Sequence, residues 1–160
     1  MKIILTTILF TLALSPAYAS GSHSGGHDAM MDIGMPAKVS WWEWGTKKVN
    51  VSLIETDNGE MLFEPKEFSF KAGQTVQFTI TNDGDAEHEF VLDTLENNAK
   101  HKELMAKFPE MEHDDPNAIR LQPGDKGTIV WNFANAGTFE VACLIPGHYE
   151  AGMHAALTVK

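Results

Sequence analysis

The 160-residue sequence contains a single cysteine, Cys143, so the chain cannot form an internal disulfide bond. Lysine and arginine are also few, at 12 against 22 aspartate and glutamate residues, which gives a formal net charge of −10. Charge of this sign disfavours nucleic acid and favours cationic partners, such as metal ions or a basic protein surface. Beyond residue 19, no apolar run approaches the roughly 20 residues of a membrane span. We therefore expect neither nucleic-acid binding nor membrane insertion. We also expect a monomer.

The first nineteen residues have the order of a secretory signal peptide. Lys2 precedes an apolar stretch over residues 3–14, and the small-residue sequence SPAYA ends at Ala19. We predict cleavage after Ala19, so that an exported mature chain begins near Ser20. Residues 20–40 follow; they are rich in Gly, Ser, His and Met and lack apolar periodicity, which predicts a flexible leader.

Residues 41–160 form the predicted folded domain. Apolar and polar residues alternate there in about seven or eight short runs separated by turn sequences, which predicts an all-β fold, an antiparallel Greek-key sandwich or barrel. Trp131 lies in one of these runs and is expected in the core. Trp41, Trp42 and Trp44 precede the first strand, where they would cover an open edge or end of the sandwich or contact a partner.

One segment breaks the alternation and predicts a short helical insert over residues 95–107. Thr94 is suited to cap the first turn of this helix, and Pro109 cannot continue it. An acidic loop then leads back to the sheet.

The cysteine stands in the segment CLIPGHYEAGM, with His148 five residues after Cys143 and Met153 five residues after His148. A predicted strand ends at Cys143 and another begins near Met153, so a thiolate, an imidazole and a thioether would meet at one end of the sandwich. His88 opens a predicted strand at the same end and could add a second imidazole. One Cys, two His and a weak axial Met make a blue-copper donor set. Simpler interpretations are a buried inert thiol at Cys143 and an exposed edge histidine at His88.

Neighbouring residues of the loop have more ordinary predicted roles. Pro146 and Gly147 would set its turn, and Gly152 would leave room at Met153. His154 follows directly, and strand alternation should turn its side chain away from the metal.

The pattern H-E-F followed by A-G-T-F-x-x-x-C-x-x-P-G-H-x-x-x-G-M resembles the cupredoxins, the superfamily of plastocyanin, pseudoazurin and azurin, over residues 49–160. Glu89 departs from the plastocyanin pattern, which has an Asn that ties the two ligand loops together. The resemblance implies one redox-active type 1 copper ion held by four residues, namely His88, Cys143, His148 and Met153.

A finer resemblance bears on function. The signal peptide, the His/Met-rich leader, the helical insert and the segment MEHDDP resemble the periplasmic cupredoxins of bacterial copper-resistance systems, which implies a role in copper tolerance. A dedicated electron shuttle between periplasmic or membrane redox partners is the alternative. We expect no enzyme, because a copper oxidase would need His-x-His pairs and a binuclear copper centre would need two cysteines, and the sequence has neither.

Two weaker groups of metal-binding residue types remain. In the leader, a weak extra copper site or an unstructured linker would account for His23, His27, Met30, Met31 and Met35. In the acidic loop, a second site, a cover over the first site, or plain solvation would account for Met111, His113, Asp114 and Asp115. Copper stoichiometry with and without residues 20–35 separates the two interpretations of the leader.

Overall fold

The computed structural model of the protein describes residues 33–38, 45–109 and 115–160. In these residues two five-stranded sheets enclose one main core, and the helix α1 (Leu95–Lys107) follows the sixth strand. The first sheet has the order β1-β8-β5-β2-β3 and the second the order β4-β10-β9-β6-β7. The strands are β1 (Met35–Pro36), β2 (Lys47–Glu55), β3 (Met61–Glu64), β4 (Glu67–Phe70), β5 (Thr75–Asn82), β6 (His88–Asp93), β7 (Ala118–Leu121), β8 (Lys126–Asn132), β9 (Gly137–Ala142) and β10 (His154–Val159).

The core between the sheets is rich in phenylalanine. Phe78 of β5 and Phe90 of β6 bring the two sheets together, with ring centroids 5.3 Å apart. Phe70 and Phe133 stack with centroids 5.1 Å apart. All four rings are buried, and each fully buried ring of this kind stabilises a fold by roughly 1.5–3 kcal/mol. Trp131 is fully buried as well, as the sequence predicts.

The predicted all-β sandwich with a helical insert is confirmed, but the prediction that its strands are antiparallel is wrong at two pairs. β2 pairs with β5 in parallel, and β4 pairs with β10 in parallel. The reason is that the chain leaves the first sheet after β3, forms β4 in the second sheet, and re-enters the first sheet as β5 beside β2. A crossover of this kind lets two strands of one sheet run in the same direction.

The prediction of a flexible leader over residues 20–40 is wrong at residues 33–38. β1 pairs with β8, Ile33 is fully buried, and the indole N–H of Trp131 donates a hydrogen bond of 3.2 Å to the carbonyl of Ile33. Gly34 lies so close to β8 that a Cβ there would be 1.8 Å from a backbone oxygen. This short segment is therefore part of the sandwich.

The helix α1 has the predicted bounds and N-cap. The side chain of Thr94 accepts a hydrogen bond of 3.2 Å from the backbone N–H of Asn97. Met105 is fully buried and joins Val91 and Leu144 in a small second cluster on the outside of the second sheet. Within the described residues, no helix is long and apolar enough to cross a membrane.

Several predicted features lie outside the described residues. They are the signal peptide over residues 1–19, the leader residues His23, His27, Met30 and Met31, the cluster Trp41, Trp42 and Trp44, and the loop residues Met111, His113 and Asp114.

The burial of Ile33 predicts that its truncation weakens the whole fold. We expect Ile33→Ala to lower the free energy of unfolding by about 2–5 kcal/mol, because it leaves a cavity in the core cluster to which Trp131 also belongs. Urea unfolding followed by tryptophan fluorescence measures the change. Met35→Ala is the matched control, since Met35 is 57 % exposed and its truncation should cost little. Equal stabilities for the two variants would mean that the segment does not pack on β8.

Candidate metal centre

The four residues predicted as metal ligands lie at one end of the sandwich. His88 opens β6, Cys143 directly follows β9, His148 lies in the loop after it, and Met153 directly precedes β10. The side chains of His88, Cys143 and Met153 are fully buried, and His148 is half-buried. Strand ends therefore fix three of these residues, while the loop positions His148 over them.

Three ligand atoms converge there. The Cys143 sulfur and one nitrogen from each of His88 and His148 all lie within 4.8 Å of one another. The Nδ1 atoms of the two imidazoles are 3.2 Å apart, and the Cys143 Sγ is 3.4 Å from Nδ1 of His148. In the part of the chain that the structure describes, no other group of three or more His, Cys, Asp or Glu residues brings ligand atoms this close.

Backbone hydrogen bonds close the loop that carries these residues. The N–H of Cys143 donates to the carbonyl of Met153, and the N–H of Met153 donates to the carbonyl of His148, each at 3.0 Å. Gly147 and Gly152 have φ angles of 91° and 103°, a conformation that side-chain-bearing residues rarely adopt. The turn role predicted for Gly147 is thus confirmed. At Gly152, glycine is favoured because of the backbone conformation.

The helical insert supports the same loop from outside. Nζ of Lys102 in α1 lies 2.8 Å from a carboxylate oxygen of Glu150 and 4.3 Å from the ring centroid of Tyr149. The hydroxyl of Tyr149 donates to the carboxylate of Glu140 at 2.9 Å, and its ring stacks on His154. Burial, followed by this hydrogen bond, raises the pKa of Tyr149 to about 12. The side chain of His154 is thereby directed to Tyr149 and Glu140.

The protonation states of Cys143 and the half-buried His148 follow from their burial. Burial raises the pKa of the Cys143 thiol to about 12, although the backbone N–H groups of Glu89 and Ile145 act to lower it. Burial, and then the nearby His88, lower the pKa of His148, so its imidazole is neutral and has a free lone pair at neutral pH. A metal that binds here must displace the thiol proton.

Glu89 ties the two ligand segments together through its backbone. Its N–H donates to the Cys143 sulfur at 3.3 Å, which links the start of β6 to the end of β9. Its side chain turns elsewhere and pairs with Arg120 of β7 at 2.9 Å. The two ligand segments are thus joined by the main chain of Glu89 and not by its side chain.

One residue of the site, Glu55 at the end of β2, was not among the predicted residues. Its carboxylate lies 2.8 Å from Nε2 of His88 and accepts the backbone N–H groups of Asp85 and Ala86 at 2.7 and 2.9 Å. Burial acts to raise the pKa of Glu55, but these hydrogen bonds outweigh it and hold the pKa below its ordinary value. No local pattern marks Glu55, because only the pairing of β2 with β5 brings it to His88.

The donor set fits copper. A thiolate and a thioether favour Cu(I), imidazole suits both oxidation states, and a Cys–His₂ group with a weak axial Met is typical of a type 1 copper site. The three convergent atoms of His88, Cys143 and His148 belong to this set, and the fully buried Met153 is joined by its backbone to two of them. The side chains at this site therefore form a donor set suited to copper.

Comparison with known protein families agrees that the chain binds copper. The family described as copper binding proteins, plastocyanin/azurin family, matches residues 49–160, which include all four predicted ligands. The chain belongs to this family. Copper binding and the cupredoxin fold are thus common to the chain and its family, and the predicted resemblance is confirmed.

Curated relatives carry a more specific name. A "copper-resistant cuproprotein CopI" of Rubrivivax gelatinosus is 40 % identical over 141 residues, which cover 88 % of this chain and 80 % of the relative. A protein of the same name from Vibrio cholerae is 34 % identical over 128 residues, covering 80 % of this chain and 72 % of the relative.

Solved structures share the cupredoxin fold. Reduced auracyanin from Roseiflexus castenholzii is 25 % identical with a TM-score of 0.59, covering 72 % of this chain and 98 % of its own. Auracyanin A from Chloroflexus aurantiacus, called a blue copper protein, is 23 % identical with a TM-score of 0.54, covering 71 % of this chain and 99 % of its own. A blue copper oxidase from Nitrosomonas europaea has a TM-score of 0.51 at 16 % identity; the match covers 72 % of this chain but only 39 % of the oxidase.

The buried thiol predicts slow chemistry in the metal-free protein. We expect iodoacetamide to alkylate native Cys143 at pH 8 at least about 100-fold more slowly than the urea-unfolded chain, because burial and a pKa of about 12 leave little thiolate. Intact-mass spectrometry measures both rates without ambiguity, since the chain has one cysteine. The raised pKa also means that this group stabilises the metal-free fold below about pH 9 and loses that effect as the pH rises toward 12. Equal alkylation rates would contradict this description of the thiol.

Proposed function

We propose that this chain is an exported, periplasmic protein of copper tolerance that binds one type 1 copper ion through His88, Cys143, His148 and Met153. The observation that carries the proposal is the buried cluster of His88, Cys143 and His148, whose ligand atoms lie within 4.8 Å of one another. The relatives named copper-resistant cuproproteins support the assignment to tolerance, at 34–40 % identity.

In this proposal the protein's own residues act by binding and shielding. Cys143 and Met153 supply sulfur that retains Cu(I), while the two imidazoles serve both oxidation states. The burial of three of the four side chains keeps bulk water from the metal, and the closed hydrogen bonds of the loop resist rearrangement. When bound, copper supplies one-electron exchange between Cu(I) and Cu(II). The chain itself would catalyse no bond-breaking reaction.

The acidic charge of the chain suits the same role. A net charge of −10 attracts copper ions and steers any protein partner with a basic surface, whether that partner delivers copper or exchanges an electron. We propose that the protein acts as a monomer toward such partners.

The proposed ligand set predicts which substitutions remove the copper spectrum. The mature protein with Cu(II) should show intense visible absorption from thiolate-to-copper charge transfer, and Cys143→Ser should abolish it because a hydroxyl does not replace the thiolate. His148→Gln should weaken copper binding, since it removes one of the convergent nitrogens. His154→Gln is the matched control, because His154 stacks on Tyr149 and lies outside the cluster. If Cys143→Ser keeps the absorption, the ligand assignment is wrong.

The proposed role predicts a copper-dependent growth defect. A strain that lacks the gene should grow normally in standard medium and poorly in elevated copper. The wild-type chain and His154→Gln should restore growth, whereas Cys143→Ser should not, because only a chain that holds copper protects. Growth curves over a series of copper concentrations measure the effect. Unchanged growth in copper together with a lost respiratory activity would favour the electron shuttle instead.

A further inference from the structure

We propose that Glu55 is a positioning residue that holds the His88 imidazole in its metal-binding orientation and favours the oxidised state of the bound copper; this rests on the proposed copper ligands. Glu55 belongs to β2, in the other sheet from His88 of β6. Its carboxylate oxygen lies 2.8 Å from Nε2 of the fully buried His88.

The Glu55 carboxylate is itself held in place by hydrogen bonds. It accepts the backbone N–H groups of Asp85 and Ala86 at 2.7 and 2.9 Å, so both of its oxygens have partners in the turn that precedes β6. Gly84 completes the enclosure, since a Cβ at that position would stand 2.5 Å from one carboxylate oxygen and 2.8 Å from the carboxylate carbon. Because Gly84 has no positive φ, the backbone does not itself require glycine there, and a side chain at this position would displace the Glu55 carboxylate. The turn is therefore shaped around the Glu55 side chain.

This arrangement decides which ring nitrogen of His88 carries the proton. A carboxylate accepts hydrogen bonds, so Nε2 of His88 donates to it, and in the neutral imidazole Nδ1 then carries the lone pair. Nδ1 is the atom that faces the other predicted ligands, and it lies 3.2 Å from Nδ1 of His148. Glu55 thus presents His88 to a metal in the tautomer that can bind it. Outer-sphere partners of metal-bound histidines act in this way in other metal sites.

The negative charge of Glu55 has a second effect. The Glu55 carboxylate is hydrogen-bonded directly to the ring of His88, and 22 % of the Glu55 side chain is exposed to solvent. A carboxylate that accepts the N–H of a metal-bound imidazole raises the basicity of the ligand, which stabilises the more highly charged Cu(II) more than Cu(I). Loss of this charge should therefore shift the relative affinities for the two oxidation states.

The first experiment compares Glu55→Gln with Glu64→Gln in the mature protein. Both changes remove one negative charge, but Glu64 is exposed on β3, whereas Glu55 is hydrogen-bonded to His88. Affinities for Cu(I) and Cu(II) come from competition with chelators, and the reduction potential from redox titration of the visible absorption.

We expect Glu55→Gln to lower Cu(II) affinity about 10–100-fold and Cu(I) affinity less. The potential should rise by about 59 mV for each tenfold change in the ratio of the two affinities. Glu64→Gln should match the wild type. Unchanged affinities and potential in Glu55→Gln, or equal shifts in both variants, would overturn the proposal.

Gly84→Ala tests the same contact without altering Glu55. The added methyl group would collide with the carboxylate and displace it from the ring of His88. We expect this variant to shift the potential in the same direction as Glu55→Gln. A potential equal to that of the wild type, in a variant that folds, would count against the proposal.

A measurement without copper separates this proposal from the ligand assignment. Nitrogen-15 NMR of the metal-free protein, with the His88 signals identified by comparison with His88→Gln, reports which ring nitrogen is protonated. We expect a proton on Nε2 and none on Nδ1 in the wild type, and a mixture of tautomers in Glu55→Gln. A proton on Nδ1 of His88 in the wild type would overturn the proposal. Retention of the copper absorption in Cys143→Ser would instead contradict the ligand assignment. The tautomer result for His88 would then remain valid.

Discussion

A buried thiol, a buried imidazole and a half-buried imidazole face one another, and the rest of the structure depends on how this arrangement is maintained. Polar groups in such a place are costly unless they find partners, and three electron-pair donors that share one small volume are best satisfied by a cation. The sandwich holds Cys143 and His88 at the ends of neighbouring strands of one sheet. The hydrogen-bonded loop then brings His148 over them, so the fold itself places the three donors together.

Much of this site could be predicted because its parts are close in sequence. Cys143, His148 and Met153 lie within one strand-loop-strand segment, and their spacing alone suggests a shared volume. His88 could be added because it opens a strand at the same end. The helical insert was equally local, since Thr94 caps its first turn and its predicted bounds are those of α1.

The features that escaped prediction depend on pairings between distant residues. Glu55 reaches His88 only because β2 and β5 pair in parallel, with Leu53 opposite Asn82, and strand alternation does not reveal that register. β1 has two residues and so no alternation to recognise; its place is set by the contact of Ile33 with Trp131, 98 positions along the chain. The main-chain link of Glu89 to the Cys143 sulfur likewise has no sequence signature, because any residue supplies a backbone N–H.

The burial of Cys143 also affects how readily its sulfur is oxidised. Stepwise oxidation of cysteine to sulfenic, sulfinic and sulfonic acids begins at an accessible thiolate, and mixed disulfides form by the same route. The Cys143 sulfur is fully buried and accepts a hydrogen bond from the chain, so peroxide and small disulfides have no ready access to it. Burial therefore shields the one sulfur atom that no other cysteine in the sequence could replace.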